Sequence, residues 1–222
     1  MISTVDWIAE LTGLTGSFAA ELEHGDLDAP VPTCPAWTLA DLGDHVRWVH
    51  RWAAHAVTDG DPKGSTDAVG PAEVVAAYRA AAGDLVAVLD TDPAAPAWTF
   101  GPDQVVGFWQ RRQVHETLIH LYDALLATGR AGLWQPRPEL AWDGVDEVAT
   151  MFYPRQVRLG RTQPLTHRLV LTATDVDRTA ELGAGDPVEL TGTAADLLLT
   201  LWKRIQPADP AIAAALTAAI TP

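Results

Sequence analysis

Apolar residues recur at helical intervals through the first half of the chain. Val5, Ile8, Leu11, Leu14, Phe18 and Leu22 fall on one face of a helix predicted from Thr4 to about Leu22. The stretch HGDLDAPVPTCPAW breaks the pattern with Gly25, Pro30, Pro32 and Pro35 and reads as a loop. A second helix starts after Thr38, an N-cap with Asp41 three residues on, close to a capping box. It runs to about Thr58 and stops at Gly60-Asp61-Pro62. A third spans Pro71, a favoured first-turn residue, to about Leu89. The loop DPAAPAW leads to a fourth, from about Gln104 to Thr128, closed by Gly129. Helices of about twenty residues joined by loops predict a four-helix bundle.

The texture changes in the last third. Helical character persists around Glu139–Phe152 as a bridging helix. The segments HRLVLTATD (167–175) and PVELTG (187–192) carry the β-branched clusters of strands, with DRTAELGAGD as a turn-rich connection between them. TAADLLLTLWKRI (193–205) is an amphipathic helix capped by Thr193, and DPAIAAALTAAI is a last helix. The expected fold class is therefore mainly α with an α+β C-terminal part. The bundle is assigned to residues 1–150 and a small α+β module to 151–222.

Composition narrows the function classes. The hydrophobic fraction of 48% in 222 residues suits a folded globular protein. No apolar run is long enough for a transmembrane helix, and Asp6 and Glu10 stand where a signal peptide carries positive charge. A single cysteine excludes an internal disulfide and fits a cytoplasmic location. The net charge of −14 argues against nucleic acid and against an anionic membrane surface as partners. Lys63 and Lys203 are the only lysines, so the basic residues are nearly all arginine.

Candidate chemistry concentrates in RRQVHETLIHLYDA (111–124). The zinc-protease motif sets its histidines four apart on one helical face. His115 and His120 are five apart, roughly 140° around a helix, so this is not that motif. Glu116 and His120, at i and i+4, do share a face and form a carboxylate–imidazole half-site. A third ligand would come from a facing helix. His45 and His50 flank the core stripe Leu42, Val46, Val49 and Ala53 on opposite sides, and periodicity does not choose between them; His55 lies away from it.

Two signatures carry a resemblance. The run Pro32, Cys34, Pro35, Ala36, Trp37 and Thr38 precedes a helix with His45 eight residues after the tryptophan. Far downstream stand Glu116, His120 and, three further on, Asp123. Together they resemble the mycothiol-dependent maleylpyruvate isomerase family, part of the DinB-like metal-binding bundles; Ala36 replaces the family's usual glycine. The resemblance implies a bundle followed by a sterol-carrier-like α+β domain, which accounts for most of the chain. It places the third ligand at His45 and implies mycothiol as the co-substrate.

Two imidazoles and one carboxylate suit a divalent ion, zinc above all, with a coordination position left open. The leading expectation is a metal-dependent enzyme that presents a low-molecular-weight thiol to a small electrophile for S-transfer, conjugate addition or cis–trans isomerisation. A hydrolase using metal-bound water and a non-enzymatic small-molecule carrier are the alternatives. Asp123, one turn beyond His120, is placed to accept its second ring N–H and so fix its tautomer. Arg112 and Trp109, earlier on the same helix, are the possible substrate contacts, although pairing with a surface acid is the preferred reading of Arg112. Trp48, Trp52 and Trp98 read as core or pocket wall, and His115 as outside the site. Cys34 reads as loop packing, and Arg158, Arg161 and Arg168 as solvated arginines.

Overall fold

In the computed structural model, which describes residues 5–60 and 67–222, the periodic segments become helices. Helix α1 spans Trp7–His24 and is capped by Asp6, whose side chain accepts from the Ala9 N–H. The expected start at Thr4 lies outside the described residues, as do Asp61, Pro62 and Lys63. Helix α2 spans Leu39–Thr58, α3 spans Pro71–Leu89 with its proline in the first turn, and α4 spans Val106–Ala127. Helix α4 ends in a Schellman-type turn. Arg130 N–H donates to the Leu125 carbonyl and Gly129 N–H to that of Leu126, with Gly129 at a φ of 72° that suits glycine.

These four helices pack α1 on α4 and α3, and α2 on α3 and α4. Leu11, Phe18, Leu42, Val46, Tyr78, Leu85 and Trp109 are fully buried between them. Helix α4 is buried nearly all round. Gln110, Arg112, Gln113, His115, Thr117, His120 and Asp123 are enclosed along with its apolar residues. A helix this polar and this buried must find partners inside the bundle for most of its side chains, although both amide atoms of Gln113 lack one among the described residues.

The chain divides by its contacts into Met1–Trp134 and Gln135–Pro222. The sequence reading places the division after residue 150. The difference arises from the segment read as a bridge: helix α5, Pro138–Glu147, packs against α7, Ala194–Leu201, and so joins the second unit. The helix then widens into a π segment, Val148–Phe152, before α6, Tyr153–Arg158. Pro154 is the cause consistent with this. It has no N–H to give the carbonyl four residues back and its ring crowds that carbonyl, so the turn relaxes and Tyr153 N–H bonds Val148.

Strands β1 (Arg168–Ala173) and β3 (Pro187–Gly192) fall where expected. A third, β2, spans Thr179–Leu182 inside the segment read as a connection. It pairs antiparallel with β1, while β3 pairs parallel on the other side, so β1 is central and buries Leu169, Val170 and Leu171 in succession. The turn from β2 to β3 holds Gly183 at a φ of 82°. A Cβ there would lie 2.5 Å from the His167 carbonyl oxygen. Helix α7 is shorter than expected. Lys203 adopts a φ of 60° and Arg204 N–H closes back on the Leu199 carbonyl, ending the helix at Leu201 rather than 205. A short α8, Pro210–Ala215, packs by β3.

Candidate metal centre

The loop before α2 is built by its own backbone. Cys34 N–H donates to Val31 and Trp37 N–H to Cys34, two successive turns that return the chain to pair Pro30 with Thr38. Thr38 then caps α2 in a full capping box. Its hydroxyl accepts from Asp41 N–H at 3.2 Å, and the Asp41 carboxylate accepts from Thr38 N–H at 2.8 Å. The cap fixes the helical phase. His45, two turns in, faces α4, and the Trp37 ring lies 4.7 Å from its imidazole.

On α4, Arg112, Glu116 and His120 stand one above another at i, i+4 and i+8. The Oε1 atom of Glu116 is 3.3 Å from His120 Nε2 and 3.6 Å from His45 Nε2, and the two imidazole centroids are 5.0 Å apart. The three side chains offer ligand atoms all within 4.8 Å of one another, a grouping able to hold a metal ion. Metal–nitrogen and metal–oxygen bonds of about 2.0–2.2 Å in a tetrahedron set its edges at about 3.3–3.6 Å, and both measured separations fall in that range.

The surroundings set the protonation. His120 Nδ1 lies 2.9 Å from Asp123 Oδ2, and Thr33 donates its hydroxyl to the other oxygen of Asp123 at 2.6 Å. With Nδ1–H given to Asp123, the Nε2 lone pair and Glu116 Oε1 point acceptor to acceptor. That contact is favourable only with a proton or a cation between them. Burial would lower the His120 pKa, but the hydrogen bonds to Asp123 and Glu116 and their charges prevail and hold it up at about 9. Burial likewise works to raise Glu116. The Arg112 charge and the bonds to His120 and His45 outweigh it and hold the carboxyl well below its usual range. The site is thus an ionised carboxylate facing two imidazoles, with a proton in the place a cation would take.

The other expected residues are placed plainly. Arg112, expected as a substrate contact or an acid's partner, is buried and ion-paired with Glu116. Trp109 has no exposed surface. Its indole N–H donates to the Trp98 carbonyl at 2.6 Å and its ring lies edge-on to Trp52, so it backs a wall rather than meeting solvent. His50 is fully buried and bonds the Thr117 hydroxyl at 3.0 Å. His55 pairs with Asp59, and His115 packs beside Trp7. Two roles escaped the sequence reading. Thr33 ties the loop to Asp123, and Trp37 braces His45; their only signal was membership of the proline-rich loop.

Residues 8–125 match the family model described as the Mycothiol maleylpyruvate isomerase N-terminal domain, and residues 139–219 match the MDMPI C-terminal domain. No curated protein and no solved structure matches the chain. With both family domains in order along the chain, the histidines and glutamate of the bundle gathered as described, the chain belongs to the mycothiol maleylpyruvate isomerase family.

Proposed function

We propose that the chain is a divalent-metal-dependent enzyme in which His45, Glu116 and His120 hold the ion. Zinc is the metal its donor set best suits, and mycothiol is its thiol co-substrate. The reaction is S-transfer, conjugate addition or cis–trans isomerisation of a small electrophile. The observation that carries this reading is the meeting of one carboxylate oxygen with two imidazole nitrogens at tetrahedral-edge distances. When bound, the ion supplies Lewis acidity that keeps a thiol ionised at neutral pH.

The chain's own groups do the rest. Asp123 keeps the proton of His120 on Nδ1 and so turns Nε2 toward the ion, the role of a carboxylate behind a ligating histidine. Arg112 neutralises Glu116 from behind and fixes the carboxylate's rotation, leaving Oε1 for the two histidines. Glu116 and Asp123 carry two negative charges, and Arg112 and the protonated His120 two positive charges. A dication that took the place of the His120 proton would leave a net positive centre for an anionic sulfur. His45, a third exposed, keeps one side of the site open to solvent and to substrate.

Metal analysis tests the reading. The purified protein should carry about one equivalent of zinc per chain, and His45→Ala, Glu116→Ala and His120→Ala should each lose it. Adding mycothiol to the cobalt-substituted protein should produce a sulfur-to-metal charge-transfer band. An unchanged spectrum with full metal loading would remove thiol activation and favour water chemistry at the same site.

A further inference from the structure

Two fully buried polar side chains, one on each helix that carries candidate ligands, have atoms that no described residue satisfies. Both amide atoms of Gln113 on α4 and the Nδ1 atom of His50 on α2 lack a hydrogen-bond partner among the described residues, and neither residue has exposed surface. Gln110, a second buried glutamine on α4, behaves differently. Its amide donates to the carbonyls of Leu89 and Thr91 at 2.9 and 3.2 Å. A polar group buried without a partner is costly, so native interiors pair such groups with protein or with ordered water.

Thr117 makes the two side chains neighbours. His50 Nε2 meets the Thr117 hydroxyl at 3.0 Å, and that hydroxyl donates to the Gln113 carbonyl at 2.7 Å. The Thr117 oxygen therefore accepts from Nε2–H, which leaves Nδ1 as a lone pair. Helices α2 and α4 run antiparallel, because His45 meets Glu116 at one level and Trp52 meets Trp109 at another. Gln113 falls between those levels, one turn before Glu116. The buried stripe of α2, Val46, Val49 and Ala53, offers its amide no polar side chain.

We infer that one internal water is bound between His50 Nδ1 and the Gln113 amide, joining α2 to α4 beneath the candidate ligands. The unmade bonds are those of a single water. It accepts from the amide NH2 and donates to the Nδ1 lone pair and to the amide oxygen, about the three hydrogen bonds typical of an internal water. Zero exposure keeps out a larger ligand. A site that offers one donor group and two acceptors, with no formal charge, suits water better than an ion of either sign. The water links the helix that carries His45 to the helix that carries Glu116 and His120. Its site is independent of the metal reading, since neither side chain that holds it is a proposed ligand.

Oxygen-17 relaxation dispersion counts long-lived internal waters and tests the site on the zinc-loaded protein. Gln113→Met and His50→Phe should each lose about one such water per chain, and the double variant should also lose about one, because both side chains hold the same molecule. Equal zinc loading cancels waters held elsewhere, and zinc content reports that the bundle is intact. A high-resolution crystal structure of the parent protein needs no substitution and should show a water within hydrogen-bonding distance of both Nδ1 and the amide. An unchanged water count in either variant, or a loss of about two in the double variant, would overturn the shared site. So would an amide turned to bond Nδ1 directly. Should the protein take up no zinc, the same comparison on the metal-free chain still decides, so the proposed function can fail while this site stands.

Discussion

Asp123 accepts from His120 with one carboxylate oxygen and from Thr33 with the other, at 2.9 and 2.6 Å, so the acid is held from both the helix and the loop. The loop that carries the proline-rich signature therefore reaches the candidate ligands through two side chains, Thr33 onto Asp123 and Trp37 onto His45. A neutral asparagine in place of Asp123 would still accept from Thr33 through its amide oxygen. Its NH2 would then face His120 Nδ1 as a donor, which forces the ring proton onto Nε2, the atom proposed to bind the metal. Asp123→Asn should lower zinc affinity by about 10- to 100-fold with little loss of fold. Competition against a chromophoric chelator, beside a thermal melt, separates the two effects.

Arg112 is buried and its partner Glu116 largely so, and removing one partner of such an ion pair leaves the other charged and mostly desolvated. Arg112→Met should destabilise the metal-free protein by about 3 kcal/mol. Zinc supplies a positive charge on the opposite side of the carboxylate, so the deficit should shrink when the metal is present. Thermal unfolding of both forms with and without zinc measures this. An equal deficit in the two conditions would mean that the cation does not reach Glu116.

In the second unit, Gly183 allows the turn between β2 and β3. Alanine there combines a φ of 82° with contacts of 2.5 Å to the His167 carbonyl oxygen and 2.8 Å to the Leu165 Cβ. Gly183→Ala should cost about 2–3 kcal/mol, because backbone rather than a flexible side chain would have to yield. A lowered calorimetric transition with unchanged zinc content is the expected result.

Much of this was legible from sequence where local chemistry and periodicity agreed. The Thr38–Asp41 capping box, Pro71 in the first turn of α3 and Gly129 after α4 each carry a boundary signal within a few residues. What escaped depends on partners distant in sequence. Helix α5 looks like a continuation of the bundle until its partner α7 is known. Strand β2 buries only Leu182 and is a strand because β1 offers it an edge. His45 and His50 both flank the core stripe of α2, and both are drawn inward because α4 is buried around nearly all its circumference. Which of them meets Glu116 is settled by the packing of two helices, a relationship that no wheel drawn on one helix contains. For the Arg112–Glu116 pair the spacing is legible and only its burial is not, since an i, i+4 pair on an exposed helix would look identical in sequence.

His50 offers a pH signature at a residue outside the candidate ligand set. Burial lowers its pKa from 6.5 to about 3; nearby Glu116 works against this, and His120 and His45 add to it. Its Nε2 meets the Thr117 hydroxyl, which itself donates to the Gln113 carbonyl. The Thr117 oxygen must then accept, so His50 carries its proton on Nε2 and is neutral in the fold. Between pH 6.5 and about 3 the unfolded chain binds a proton at this position that the native protein does not. Stability therefore rises with pH across that window, is fully present above 6.5, and is lost as pH falls, by up to about 1.4 kcal/mol per pH unit from this group. Carboxylates add their own slope below about pH 5, so the readout is a difference between proteins. His50→Gln keeps a donor for Thr117 without a titrating ring. Its denaturant-derived stability should fall less steeply than that of the parent between pH 6 and 4, by up to one proton's worth of slope. Parallel curves would mean that His50 charges inside the native bundle, which its burial and its bond to Thr117 oppose.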